Sequence, residues 1–83
     1  MKPTNGTYDL TITQVTDPPV PPPSTITVEI DDEGMHMSFG VMPYDESGDA
    51  FRLGVNAAHW NSEAEGYGTS GGGDYSFTAV KRA

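Results

Sequence analysis

The stretch Thr25-Ile26-Thr27-Val28-Glu29-Ile30-Asp31-Asp32-Glu33-Gly34-Met35-His36-Met37-Ser38-Phe39-Gly40-Val41 decides the fold class. Ile26, Val28 and Ile30 alternate with Thr25, Thr27 and Glu29. Met35, Met37, Phe39 and Val41 then alternate with His36, Ser38 and Gly40. A side-chain period of two sets each apolar group on one face of a strand. The polar tetrad between the runs ends in Gly34, and glycine supplies the positive φ that a tight turn needs. The stretch predicts a β-hairpin.

The same rhythm extends outward in both directions. Towards the N-terminus, Tyr8, Leu10 and Ile12 alternate with Thr7, Asp9, Thr11 and Thr13 after an Asn-Gly turn signal. Towards the C-terminus, Pro43 to Asp49 is polar and reads as a turn. Ala50 to Asn56 then sets Phe51, Leu53 and Val55 against Arg52, Gly54 and Asn56, and is expected to pair with the preceding run. Ala57 to Glu65 fits one helical turn or a continued strand, and the strand reading is taken for His59 and Trp60. Tyr75 to Val80 is the last run, with Tyr75, Phe77 and Ala79 on one face. No window sustains a 3.6-residue period, so no long helix is expected.

The fold expectation is all-β and a single domain over residues 1–83. It is a small antiparallel meander of five to six strands, as a curled sheet, a small barrel or a compact sandwich. A single open sheet without helices leaves its apolar face bare, so it must close on itself or meet a second copy. Five of the seven prolines fall in Asp17-Pro18-Pro19-Val20-Pro21-Pro22-Pro23. Proline removes a ladder donor, so residues 17–24 are read as an exposed polyproline arm of about 20 Å between strands 1 and 2. Residues 66–74 are read as a glycine-rich loop. Gly66 to Gly71 spells GxGxxG, but a dinucleotide site needs a strand before it and a helix after it, and a β-like run follows instead.

Twelve acidic and four basic side chains give a formal net charge of −8. Lys2, Lys81 and Arg82 lie near the ends, leaving Arg52 as the one cation in the body. Direct nucleic-acid contact and attachment to an anionic membrane are disfavoured, because both need clustered Lys and Arg. A basic protein surface is the favoured partner, although the same charge also serves plain solubility. The candidate partner-binding residues are Asp31, Asp32, Glu33, Asp45, Glu46, Asp49, Glu63 and Glu65, with Tyr44, Trp60 and Tyr67 as aromatic anchors. The acidic clusters lack the spacing of a calcium loop, so no metal is assigned.

No enzyme chemistry is expected. There is no cysteine, and no local pattern brings Ser, His and Asp together. His36 and His59 lack a partner that would make either a general base. No cofactor is implied. Without a membrane-length apolar run or a signal peptide after Met1, the expected location is the cytoplasm. The leading functional expectation is a non-enzymatic acidic interaction protein, such as an inhibitor or regulator of a nucleic-acid-binding machine; a small phage protein suits that description. A second expectation is a small barrel binding an apolar or aromatic ligand, suggested by Met35, Met37 and Met42. A third is a homo-oligomeric structural or decoration subunit that pairs through a sheet edge.

Overall fold

The computed structural model describes residues 1–15 and 22–83. Within the described residues all regular structure is β. The strands are β1 (Gly6–Gln14), β2 (Ser24–Asp31), β3 (Gly34–Met37), β4 (Gly40–Met42), β5 (Tyr44–Asp45), β6 (Ala50–Leu53), β7 (Asn56–Trp60), β8 (Glu65–Ser70) and β9 (Gly73–Lys81). They form one antiparallel sheet in the order β4-β3-β2-β1-β9-β8-β7-β6-β5. No helix among the described residues is long and apolar enough to cross a membrane.

The two edge strands, β4 and β5, are consecutive in the chain and separated only by Pro43. They act as one bent strand. Its first half pairs with β3 through Met35↔Met42 to Met37↔Gly40, and its second half pairs with β6 through Tyr44↔Phe51 and Asp45↔Ala50. Pro43 has no N–H to give either neighbour, and its carbonyl accepts from the Arg52 amide at 3.0 Å. The bent strand nearly closes the sheet into a barrel. Among the described residues a free edge remains on β2, which pairs with β1 along its length but meets β3 only at Glu29, Ile30 and Asp31.

The hairpin over residues 25–37 forms as expected, with Asp31↔Gly34 flanking the turn at Asp32 and Glu33. Gly34 has φ of 140°, and a Cβ there would lie 2.1 Å from the Met42 carbonyl oxygen. Glycine is required twice over, by the turn and by the close approach of β4.

The strand number exceeds the expected five to six, because a tight turn splits the third run into β3 and β4, Tyr44–Asp45 of the expected turn over 43–49 is strand β5, and most of the expected glycine-rich loop is strand β8. Ser38 and Phe39 separate β3 from β4, and Gly54 and Val55 separate β6 from β7. Phe39 is 53 % exposed and Val55 70 % exposed, so neither belongs to the core that the alternation assigned them to. The third and fourth runs meet through the bent strand rather than directly.

The expected glycine-rich loop over 66–74 is corrected as well. Residues 65–70 are strand β8, and only Gly71 and Gly72 form the turn into β9. Gly66 and Gly68 face inwards because rings from β9 occupy the space above them. A Cβ on Gly66 would lie 2.4 Å from the Phe77 ring, and one on Gly68 would lie 2.4 Å from the Tyr75 hydroxyl. Of the expected proline arm, residues 17–21 lie outside the described residues, and Ser24 already belongs to β2.

The interior follows the period-two pattern. Tyr8, Leu10, Val28, Ile30, Met35, Met42, Phe51, Ala58, Trp60, Phe77 and Ala79 form the buried cluster. Trp60 sits at its centre, edge-to-face with Tyr8 at 5.1 Å and with Phe77 at 4.9 Å between centroids. Large rings carry most of the apolar burial that so short a chain can achieve.

Candidate functional site

An antiparallel meander sends successive turns to opposite ends. The turns at 32–33, 46–49 and 61–64 share one end with both chain termini. All eight candidate carboxylates stand in or beside these three turns. Contacts across the end confirm the grouping. Asn5 donates to Asp32 at 3.0 Å, and the Thr4 amide donates to Glu63 at 2.8 Å. The Met1 nitrogen lies 3.1 Å from the Asp49 carboxylate and donates to the Trp60 carbonyl at 2.8 Å. Pro3 is fully buried between these anchors. Residues 1–5 therefore cross the acidic end as a strap.

The carboxylates differ in what they have left to offer. Asp31 accepts from His36 Nε2 at 2.7 Å, and this bond holds the Asp31 carboxyl below its ordinary range while raising the imidazole. Asp45 accepts from the Ser47 hydroxyl and from the Ser47 and Gly48 amides, an arrangement that builds the turn and lowers its pKa. Arg52 lies 3.5 Å from the other Asp45 oxygen. Asp49 accepts from the Tyr44 hydroxyl at 2.6 Å, which lowers the Asp49 carboxyl and pushes Tyr44 up to about 12. Glu63 is lowered chiefly by its bond from the Thr4 hydroxyl. Asp32, Glu33, Glu46 and Glu65 have no ion-pair partner among the described residues. Arg82 does not compensate them, because it forks onto Asp9 at 2.9 and 3.0 Å.

The three aromatic candidates separate. Trp60 is 1 % exposed and fills the core, so its assignment as a surface anchor is withdrawn. The inward phase of β7 puts it there: Ala58 and Trp60 share the buried face. Tyr44 is half-buried, packed edge-to-face on Phe51 at 5.3 Å and tied to Asp49. Tyr67 alone is well exposed, at 51 %.

Tyr67 pairs across the sheet with His59, and the two rings stack at 4.9 Å with 9° between planes. The stack stands on the outer wall, and three shallow concavities of about 360, 410 and 350 Å³ border it. Glu65 and Asn61 border the first, Asp74 the second, and Asp49 and Asn61 the third. Sequence reasoning named Tyr67 but missed its partner, because residues 66–74 read as loop. The alternation of Gly66, Tyr67, Gly68 and Thr69 was the available signal.

No family model, curated protein or solved structure matches this chain. The chemistry of this end rests on its own side chains. An aromatic ring face beside carboxylates is suited to a guanidinium or ammonium group, which gains from the ring quadrupole and from the anionic oxygens together. The opposite end carries the turns at 38–39, 54–55 and 71–72 and is apolar by comparison, with Val15, Phe39, Leu53 and Val55 exposed there.

Proposed function

We propose that this protein is a non-enzymatic interaction protein whose acidic end docks on a basic surface of a protein partner. The observation that carries the reading is the convergence of three separate acidic turns on one end of the barrel, beside the exposed Tyr67 ring stacked on His59. The cations stand at the same end but are outnumbered and engaged. Arg82 is held by Asp9, Arg52 lies against Asp45, Lys2 lies over the Tyr44 ring and Lys81 donates to Thr4, while Glu33, Glu46 and Glu65 stay exposed.

In this reading Tyr67 is the anchor and the carboxylates set encounter rate and orientation. An arginine from the partner lies on Tyr67 and meets Glu65 or Asp49. A nucleic-acid-binding protein presents such a basic face, and the acidic end then competes with phosphate for it, as an inhibitor or regulator does. The absence of cysteine suits a reducing compartment, and the proposal places the protein in the cytoplasm.

The test compares two charge reversals of equal size on neighbouring strands. Glu65 and Asp74 are both exposed, but Glu65 stands at the acidic end and Asp74 at the other. Binding of an arginine-rich peptide is measured by calorimetry from low to high salt. Glu65→Lys is expected to weaken binding about five- to twenty-fold at low salt, since it removes one attraction and adds one repulsion. Asp74→Lys is expected to weaken it less than Glu65→Lys does, because Asp74 borders a Tyr67 concavity by itself, whereas Glu65 stands among the acidic turns. Tyr67→Ala should weaken binding at every salt concentration. Equal effects of the two reversals would mean that only net charge matters, and the acidic end would cease to be a site.

A further inference from the structure

The two ends of the barrel are not alike. The acidic end is crossed by residues 1–5 with Pro3 buried. At the other end a cavity of about 210 Å³ opens between the strands. Its floor is apolar, made by Ile12, Met37, Met42 and Tyr75, with the exposed ring of Phe39 at the lip. A dry cavity of about 150 Å³ already holds benzene, so this one has room for a one- or two-ring molecule. A barrel of roughly eight strands is also the size at which side chains fill most of the interior and leave space for one small ligand.

Three observations define what fits. First, among the described residues the lining contains no ionisable carboxylate, imidazole or cation, although the chain carries a net charge of −8. A charged ligand would enter unpaired, so the ligand is neutral. Second, Gln14 occupies an inward position in the β1 alternation, after Tyr8, Leu10 and Ile12, where an apolar residue would otherwise continue the pattern. Its Oε1 is buried and accepts no hydrogen bond within the described residues. A buried acceptor left without a donor carries its full desolvation cost, so a group that supplies the donor binds with that cost relieved. Third, the Tyr75 wall is held rigid. Its hydroxyl donates to the Ala57 carbonyl at 2.8 Å, and its ring lies over the bare Cα of Gly68. A fixed aromatic wall opposite two flexible methionines accommodates a flat ring.

We infer that this mouth is a second binding site, for a small neutral planar molecule that carries an N–H or O–H donor directed at Gln14. Met37, Met42 and Tyr75 grip the ring, and Gln14 reads the donor. The site is independent of the acidic end and does not rest on partner docking there.

The experiment uses indole and 1-methylindole as probes, which differ in having or lacking the N–H. Methionine methyl groups are followed by NMR in the full chain. Indole is expected to shift the Met37 and Met42 signals saturably in the millimolar range and to leave Met1 unmoved. 1-Methylindole is expected to bind about five-fold more weakly, the worth of one hydrogen bond. In Gln14→Leu, with the amide spectrum confirming the fold, the two probes should bind alike. Absence of any Met37 or Met42 shift with either probe overturns the site. Equal affinity of the two probes for the wild-type protein overturns the role of Gln14, and needs no variant to be folded.

Discussion

The pair formed by Asp31 and His36 stands beside the turn of the central hairpin and ties its two strands together across one rung of the ladder. The bond from His36 is the main cause of the shift in each group. The carboxyl of Asp31 is lowered from its ordinary 3.8, so its stabilisation is present above that value and is lost as pH falls through the lowered one. The imidazole is raised from 6.5, so its stabilisation is complete below 6.5 and is lost as pH rises through the raised value. Both contributions coexist between pH 3.8 and 6.5. The advantage of the wild-type protein over Asp31→Asn should therefore be largest in that window and shrink on either side. An NMR titration should find His36 above 6.5 in the native chain and closer to it in Asp31→Asn, with Glu33 and Glu29 keeping part of the rise. A native His36 that titrates at or below 6.5 would show that the bond does not hold in solution.

Among the elements, β8 is the one whose existence depends on what its residues lack. Gly66 and Gly68 are buried, and the rings of Phe77 and Tyr75 from the adjacent strand lie where their side chains would be. Gly66→Ala should test this directly. Its new Cβ would stand 2.2 Å from the His59 carbonyl oxygen and 2.4 Å from Phe77, and the carbonyl belongs to a paired strand that cannot yield cheaply. Replacing glycine in a strand usually helps by about 0.4–1 kcal/mol through the unfolded chain. Here overpacking should outweigh that gain and leave a net loss of about 1–3 kcal/mol in urea unfolding. Gly71→Ala, with open space around its Cβ and no unusual φ, should stay within about 0.5 kcal/mol. Similar values for the two would mean that the rings do not pack on bare backbone. The same strand explains what was legible in the sequence. The hairpin of β2 and β3 announced itself because its side chains differ in polarity from one position to the next. In β8 the inward positions are glycines, which carry no polarity to read, so the stretch resembled a loop. Phe39 and Val55 misled in the opposite way: each stays in phase with its run while occupying a turn, so alternation concealed two strand breaks. At the candidate site, the acidic residues could be named from composition, whereas Trp60 could not be placed until β7 had a known inward face, and the stack of His59 on Tyr67 required the pairing of β7 with β8.

For the molecule as a whole, closure joins two unequal seams. The seam between β1 and β9 runs from Tyr8↔Lys81 to Gln14↔Tyr75 and brings together the two ends of the chain. The seam at the bent strand is short, with Tyr44↔Phe51 and Asp45↔Ala50 followed by the bond from Arg52 to Pro43. Proline cannot return a second bond there, and the neighbouring turn is held by side-chain contacts at the surface, from Arg52 to Asp45 and from the Met1 nitrogen to Asp49. So few backbone bonds make this the place where the barrel should open first, without global unfolding. Hydrogen exchange can distinguish the seams. The Arg52 amide is expected to exchange through a local opening that responds little to added denaturant, whereas the amides of the β1–β9 ladder should exchange only through global unfolding, with the full denaturant dependence. If Arg52 proves as protected as the long ladder, the bent strand is a full member of a closed barrel, and the proline at its centre costs the seam nothing.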